Sequence, residues 1–138
     1  MINNEKIEFS VKALIVKEGK FLALHRSTEI STLNELPGGR LEFGETAEQT
    51  VVKKVLEETN FSVEPIKLID TWNFIKEKHQ ITGIIYLCKI KQGRFMLSYE
   101  HNNYEWLELN EESVSRMTFP FKERMKNWDM KSIMESSL

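Results

Sequence analysis

A glycine-rich loop that leads directly into an amphipathic helix is the feature that most restricts how this chain can fold. Residues 38–44 contain three glycines, and residues 47–58 repeat apolar side chains at helical spacing. Thr46 precedes this segment and Gln49 stands three positions later, which is the spacing of a capping box. The pattern therefore predicts a helix that begins after Thr46 and packs its apolar face against a core.

The charged residues of this helix lie on a different side from the apolar ones. Each residue turns an α-helix by about 100°, so Lys54, Glu57 and Glu58 share one sector. Glu42 and Glu45 lie in and beside the glycine loop. Carboxylates and loop carbonyls are the hard oxygen ligands that Mg²⁺ or Mn²⁺ takes, so these four glutamates are candidates for a metal site. The alternative is that Glu57 and Glu58 are solvated charges paired with Lys54.

The spacing of the whole stretch resembles the signature of the Nudix hydrolases, the family that includes the MutT-like proteins. That signature is glycine, five residues, glutamate, seven residues, and then Arg-Glu-apolar-any-Glu-Glu-any-Gly-apolar. Here five residues separate Gly39 from Glu45, and seven more lead to residues 53–61. Leu-Pro-Gly at residues 36–38 is similar to the family's usual lead-in. The resemblance implies an α/β fold, a Nudix-type α/β/α sandwich whose mixed, twisted sheet carries helices on both faces. The length of 138 residues suits one domain, so residues 1–138 are predicted to form a single Nudix-like domain.

Three positions depart from the family signature. Lys53 stands where the family has arginine, so the charge is kept without the bidentate fork. Asn60 replaces the glycine that closes the helix, and asparagine is the next-best residue for a left-handed C-cap. Lys54 replaces the first glutamate of the Arg-Glu segment, which in the family belongs to the metal and catalytic cluster. We therefore expect fewer metal ions, weaker metal affinity or a catalytic base from elsewhere in the chain.

The resemblance implies metal-assisted hydrolysis of a pyrophosphate bond in a nucleoside diphosphate linked to another group. It implies that Mg²⁺ or Mn²⁺ is held by Glu57 and Glu58 with the carbonyl of Gly38. In the family, a glutamate shortly before a late Trp-apolar strand completes the metal site. Glu100 and Glu105 both fit that position, and the sequence does not separate them from each other or from ordinary loop carboxylates. Either one is also a candidate to replace the missing base.

Several cations are candidates for contact with the substrate phosphates. Arg26 follows the strand predicted at residues 21–24. It stands where the family often has an arginine near the bound phosphates, and Lys53 is a second candidate. Arg40 lies inside the glycine loop and either meets a phosphate or is a solvent-exposed charge. Glu45 is expected to orient the loop and Lys53. A further hypothesis is that Lys54 contacts a phosphate oxygen and partly substitutes for the charge of a metal ion, which places it with Glu45, Glu57 and Glu58 in the catalytic set.

Apolar segments on both sides of the signature predict the strands of the sheet. The first two segments flank a Lys-Glu-Gly-Lys turn and predict a hairpin. The last segment is almost continuously apolar, which is typical of a central strand covered on both faces. Residues 28–34 are polar and predict a loop that leads into the signature. The predicted strands are residues 9–16, 21–24, 66–72 and 80–90.

Aromatic and methionine side chains outside the signature have two interpretations each. Trp72 and Phe74 either stack on a nucleobase or pack in the core. Residues 110–113 predict the start of a short helix, and Pro120 stands near the first turn of the last helix. The inner side of that last helix is either core or an interface with a second subunit, which would make a homodimer. Its residues are Phe121, Met125, Trp128 and Met134.

The composition excludes several classes of partner. With 19 Lys and Arg against 21 Asp and Glu, there is no basic excess for binding duplex nucleic acid. No apolar segment has membrane-spanning length, and the first residues contain no apolar signal core. The one cysteine, Cys88, fits a buried position in a cytoplasmic protein. A small-molecule nucleotide is the predicted partner. The alternatives to a hydrolase are a nucleotide-binding or sensor module without catalysis and an interaction module that uses the C-terminal helix.

Overall fold

The computed structural model describes residues 4–26 and 34–138, so the loop predicted at residues 28–34 lies outside the described residues except for Asn34. Within them the chain forms a six-stranded sheet and helices on both of its faces, which confirms the predicted α/β class. The strands are β1 (Lys6–Lys17), β2 (Lys20–Arg26), β3 (Gly38–Arg40), β4 (Ser62–Lys76), β5 (His79–Gln92) and β6 (His101–Glu108), and the helices are α1 (Ala47–Thr59), α2 (Glu111–Ser115), α3 (Phe121–Met125) and α4 (Met130–Ser136).

Strand β1 organises the sheet because it pairs with three other strands. β5 runs parallel to β1 over residues 6–16 of β1, whereas β3 pairs antiparallel with residues 10–12 and β2 with residues 16–17. The strand order β4-β5-β1-β2-β6, with β3 beside β1, is therefore mixed. The glycine loop begins at β3, so the sheet holds that loop directly beside the middle of β1.

Two hydrophobic clusters cover the two faces of the sheet, because successive residues of a strand point to opposite sides. Val11, Ala13 and Ile15 pack with α1 on one face, whereas Leu14 and Val16 pack with α2, α3 and α4 on the other. Cys88 is fully buried in the first cluster, as predicted. No helix in residues 4–26 and 34–138 is long and apolar enough to cross a membrane.

Helix α1 begins and ends as the sequence predicts. The N–H of Gln49 donates to the Thr46 hydroxyl at 3.1 Å, and the N–H of Thr46 donates to the Gln49 side chain at 2.9 Å, which completes the capping box. Asn60 closes the helix in the left-handed conformation with φ 66°. Val51 and Val55 are fully buried, so the apolar face packs on the sheet.

The prediction of one last helix is wrong, because two short helices occupy that part of the chain. α3 ends at Met125, and the side chain of Asp129 accepts a hydrogen bond from the N–H of Ser132 and so starts α4. Phe121 and Met125 are buried in the core, and Trp128 and Met134 pack against it. The apolar stripe is therefore core packing, and the homodimer stays a prediction.

Candidate active site

An open cleft of about 730 Å³ lies at the C-terminal part of α1, between the glycine loop, the sheet and α3. The charged and the apolar lining residues come mainly from different elements, and these elements define two ends of the cleft. β3 and α1 form the charged end, and β4, β5 and residues 119–121 form the apolar end. The charged end includes Arg26, Gly38, Lys54, Glu57, Glu58 and Glu100, and the apolar end includes Trp72, Phe74, Ile81, Phe119, Pro120 and Phe121.

Glu58 is held in the cleft by the glycine loop. Its side chain accepts a hydrogen bond of 2.8 Å from the N–H of Gly38, and the residue is only 5% exposed. Burial raises the pKa of Glu58 above its ordinary value, although the charge of Lys12 and the bond from Gly38 act in the opposite direction. Glu58 is therefore not one of the solvated helix charges of the alternative interpretation, whereas the neighbouring Glu57 is exposed.

Lys54 lies between Glu57 and the glycine loop. Its ammonium is 3.8 Å from a carboxylate oxygen of Glu57 and 3.7 Å from one of Glu42. Its aliphatic stem packs on Gly39, where an added Cβ would lie 3.1 Å from the Lys54 Cδ. The lysine that departs from the family signature thus places its positive charge inside the cleft, next to one of the two adjacent glutamates.

Lys53 and Glu45 are brought to each other rather than into the cleft. The ammonium of Lys53 pairs with the carboxylates of Glu45 and Glu42, which ties the loop to α1. The Thr50 hydroxyl donates to Glu45 at 2.9 Å. The hydrogen bond from Lys53 is the main cause that lowers the pKa of Glu45. Neither Lys53 nor Glu45 lines the cleft, so their position fits a role in shaping the loop.

The structure separates the two candidate carboxylates of the late loop. Glu100 lines the cleft, where its carboxylate is 3.8 Å from Arg26. Glu105 lies outside the cleft lining, on β6, and its oxygens accept hydrogen bonds from Arg116 at 2.5 Å and from Asn34 at 3.0 Å. Of these two candidates, Glu100 and not Glu105 lines the cleft together with the adjacent glutamates of α1.

Both predicted arginines line the cleft, but each is already paired with a carboxylate. The guanidinium of Arg26 donates to Glu35 at 2.9 Å. The guanidinium of Arg40 donates to Glu8 at 2.8 Å, and the Arg40 side chain is 62% exposed. Arg26 is therefore held in a hydrogen-bonded ion pair with Glu35, whereas Arg40 lies at the solvent-facing rim of the cleft.

A polar network of Lys12, Glu35 and His101 reaches the cleft, and it was not predicted from the sequence. Burial acts to raise the pKa of Glu35, but the positive charge of Lys12 and the hydrogen bonds that Glu35 accepts outweigh it and lower that pKa to about 2. The fully buried side chain of His101 lies 3.0 Å from Glu35 through Nε2. The sequence held one indication of this network. Lys12 is a charged residue inside an apolar strand, on the same side of it as Leu14, so a buried polar contact could have been predicted there.

The donor atoms of the cleft fit one Mg²⁺ or Mn²⁺ ion that is shared with a phosphate, but not a closed metal cage. In residues 4–26 and 34–138, no three or more His, Cys, Asp or Glu side chains are grouped to hold a metal ion. Glu57, Glu58 and Gly38 all line the same end of the cleft. Mg²⁺ commonly binds through one or two carboxylates together with substrate phosphates and water, and Glu57 and Glu58 would supply the carboxylates of such a set.

Comparison with known proteins identifies the family. The sequence model of the NUDIX domain matches residues 7–129, and the chain belongs to the NUDIX family. A MutT-like protein from Streptomyces ambofaciens is 34% identical over 105 residues, which are 75% of this chain and 66% of that protein. The crystal structure of a MutT protein from Methanosarcina mazei Go1 superposes with a TM-score of 0.81, at 28% identity over 94% of this chain and 97% of that one. An ADP-ribose pyrophosphatase from Streptococcus suis 89-1591 shares the fold, with a TM-score of 0.68 at 21% identity over 94% of this chain and 91% of that one.

Proposed function

We propose that this protein is a metal-dependent hydrolase that cleaves a pyrophosphate bond in a nucleoside diphosphate linked to another group. The observation that carries the proposal is the division of the cleft into a charged end, built from the Nudix signature, and an aromatic end. A nucleotide has the same division, because its phosphates are anionic and its base is a flat apolar ring. Membership of the NUDIX family supports the same type of reaction.

The sheet sets the two ends of the cleft at a distance that suits a nucleotide. Gly38 on β3 is paired with β1, while Trp72 lies on β4 beyond β5. Neighbouring strands lie about 4.8 Å apart, so three steps across the sheet separate the two ends by roughly 15 Å. We propose that the base lies against Phe74 and Phe119, whose ring centroids are 5.9 Å apart. Trp72 is only 5% exposed and packs on Phe121 with ring centroids 5.1 Å apart, so it supports this surface from the core.

In the proposed mechanism, the protein positions the diphosphate and the carboxylates that act on it. Glu57 and Glu58 would hold the divalent ion with the Gly38 carbonyl. The ion supplies polarisation of the phosphoryl oxygens and a lowered pKa of bound water. The N–H of Gly38 fixes the orientation of the Glu58 carboxylate. Glu100, inside the cleft, is favoured over Glu105 as the further ligand or as the base that accepts a proton from the attacking water.

The cations of the cleft would neutralise the phosphates. Lys54 stands beside Glu57, and we propose that its ammonium contacts a phosphate oxygen in the bound state. Arg40 lies at the rim, where it can exchange Glu8 for a terminal phosphate. Arg26 is held by Glu35 and contributes a fixed positive charge. Lys53 acts through Glu45, because it holds the loop that carries Gly38 and Gly39.

A second candidate function, nucleotide binding without hydrolysis, is favoured by one observation. The positive charge of Lys54 lies 3.8 Å from Glu57, at the signature position where the family has a glutamate of the catalytic cluster. A lost general base lowers a rate by about 10²–10⁴-fold. A chain with lysine at position 54 can therefore still bind a nucleotide while it hydrolyses the nucleotide only very slowly.

The test is release of phosphate or pyrophosphate from a panel of nucleoside triphosphates, nucleotide sugars and dinucleotides, with Mg²⁺ and then with Mn²⁺. The wild type is compared with Glu58→Gln and with Glu64→Gln, a control at an exposed position of β4 outside the cleft. Metal-dependent turnover that is lost only in Glu58→Gln supports the hydrolase. Nucleotide binding by calorimetry without turnover supports the second function instead, and the absence of both contradicts the two proposals.

A further inference from the structure

Lys12 is a mostly buried lysine whose side chain lines the cleft. The residue lies in the middle of β1, is 7% exposed and lines the cleft floor. Its stem packs against the glycine loop, since a Cβ added to Gly38 would lie 3.0 Å from the Lys12 Cδ. On the other side, its ammonium is 5.8 Å from the centre of the Phe121 ring. The side chain is therefore held on both sides, and its charged end faces the space that a ligand would occupy.

This ammonium lacks the partner that a buried charge normally has. In the part of the chain that the structure describes, it makes no hydrogen bond and no ion pair within 4 Å, whereas the other cations of the cleft lining are paired. The carboxylates of Glu35 and Glu58 experience its charge, and Glu35 is already bonded to Arg26 and His101. The Nζ of Lys12 is not one of the fully buried atoms without a partner, although the residue is only 7% exposed, so it is open to the cleft. Charged groups in partly buried positions are stabilised by hydrogen bonds, so an acceptor supplied by a ligand would satisfy Lys12.

The position of Lys12 identifies which part of a nucleotide it would meet. Lys12 is paired with Gly38 on one side, so it is one strand from the carboxylate end of the cleft. The aromatic residues Trp72 and Phe74 lie two strands away, on β4. An anionic group that reaches from Glu58 toward the aromatic end must pass over Lys12.

We infer that Lys12 is a substrate-binding residue whose ammonium donates to a non-bridging oxygen of the diphosphate in a bound nucleotide. The inference rests on the proposed function and adds a residue outside the family signature to its site. Because Lys12 belongs to the rigid centre of the sheet, its contribution does not need a divalent ion. It therefore predicts a measurable affinity for nucleotides even when metal ions are removed.

The test is calorimetry in the presence of a chelator, with the α,β-methylene analogues of ATP, GTP, CTP and UTP and with the four corresponding nucleosides. Lys12→Met is the test variant, because methionine fills the volume of the stem without the charge. Lys17→Met is the matched control, since Lys17 lies on the same strand but is exposed and outside the cleft. The melting temperature of each variant is measured in parallel.

We expect Lys12→Met to weaken binding of the preferred triphosphate analogue by at least about tenfold, the effect of losing one hydrogen bond between charged groups. Binding of the nucleoside should be unchanged. The melting temperature can fall, because the charge of Lys12 also stabilises the ionised Glu35, and the nucleoside therefore serves as the control for folding. Equal affinities of Lys12→Met and the wild type overturn the inference but leave the proposed function intact. A lower melting temperature with equal losses for nucleotide and nucleoside shows a structural role and also overturns it. A wild-type chain that binds none of the analogues, with or without Mg²⁺, contradicts the proposed function and this inference together.

Discussion

The backbone N–H of Gly38 donates a 2.8 Å hydrogen bond to the buried carboxylate of Glu58, and this contact joins the glycine loop to the last turn of α1. Only glycine fits its donor position. Gly38 has φ 137°, and an added Cβ would lie 2.1 Å from the carbonyl oxygen of Val11. The close approach of loop and strand therefore positions the N–H that orients Glu58, so the glycine of the lead-in and the glutamate of the signature act as one unit.

Glu58→Gln is expected to increase stability while it removes activity. Burial raises the pKa of Glu58, so the folded state disfavours its ionised form at neutral pH, and glutamine removes that penalty while it can still accept from Gly38. The gain in melting temperature should be present at neutral pH. It should disappear as the pH falls through the raised pKa toward the ordinary value of 4.5, where the wild-type carboxyl also becomes neutral. Activity should fall by at least about 10²-fold. A variant that is less stable at neutral pH contradicts this account of the buried charge.

Glu35→Gln is expected to destabilise the protein at neutral pH. It should also make the free energy of unfolding depend less on pH in the acid range. The pKa of Glu35 is lowered to about 2 from 4.5, so its ionised form stabilises the folded state by about 3 kcal/mol. That stabilisation is present above pH 4.5 and is lost as the pH falls through about 2. The free energy of unfolding in urea is measured for both proteins at neutral pH and at about pH 3. The same slope against pH in both proteins would show that Glu35 does not carry the effect.

Lys53→Met is expected to lower activity with little effect on stability. The Lys53 side chain is 35% exposed and pairs with Glu42 and Glu45, and exposed ion pairs contribute little to stability. These pairs nevertheless hold the loop against α1, and misplacing substrate contacts by about 1 Å can lower a rate by up to roughly 10²-fold. Lys53→Arg should keep or raise kcat/KM, because a guanidinium can bind both carboxylates with fixed geometry. Equal kcat/KM for Lys53→Met and the wild type would exclude this role for the loop contact.

Local patterns predicted the parts of the site that depend on one segment of chain. The capping box of Thr46, the left-handed Asn60 and the buried face of α1 all follow from spacings within the helix and its ends. The break between α3 and α4 was missed, although Asp129 has the side chain of a helix-starting residue. A stripe of apolar residues spaced like one helix concealed it, because both short helices pack on the same core.

Contacts between distant segments were beyond the reach of these patterns. Lys12, Glu35 and His101 come from β1, the segment before β3 and the first residue of β6, and only the sheet brings them together. The choice between Glu100 and Glu105 likewise depends on where β6 begins, since the residue before the strand faces the cleft and the one inside it bonds Arg116. Such choices are made by tertiary pairing, which a spacing along one segment does not encode.

Lys54→Glu is expected to raise the affinity of the protein for Mg²⁺ in the absence of nucleotide by at least about tenfold, because it replaces a cation 3.8 Å from Glu57 with a further carboxylate. Calorimetric titration with Mg²⁺ measures this, and Lys131→Glu, exposed on α4 and outside the cleft, makes the same change of charge as a control. If Lys54 also contacts a phosphate, nucleotide binding should weaken in the same variant. A simultaneous rise in turnover and in Mg²⁺ affinity, with nucleotide binding unchanged, would exclude that contact and leave Lys54 as a change that only weakens the metal site.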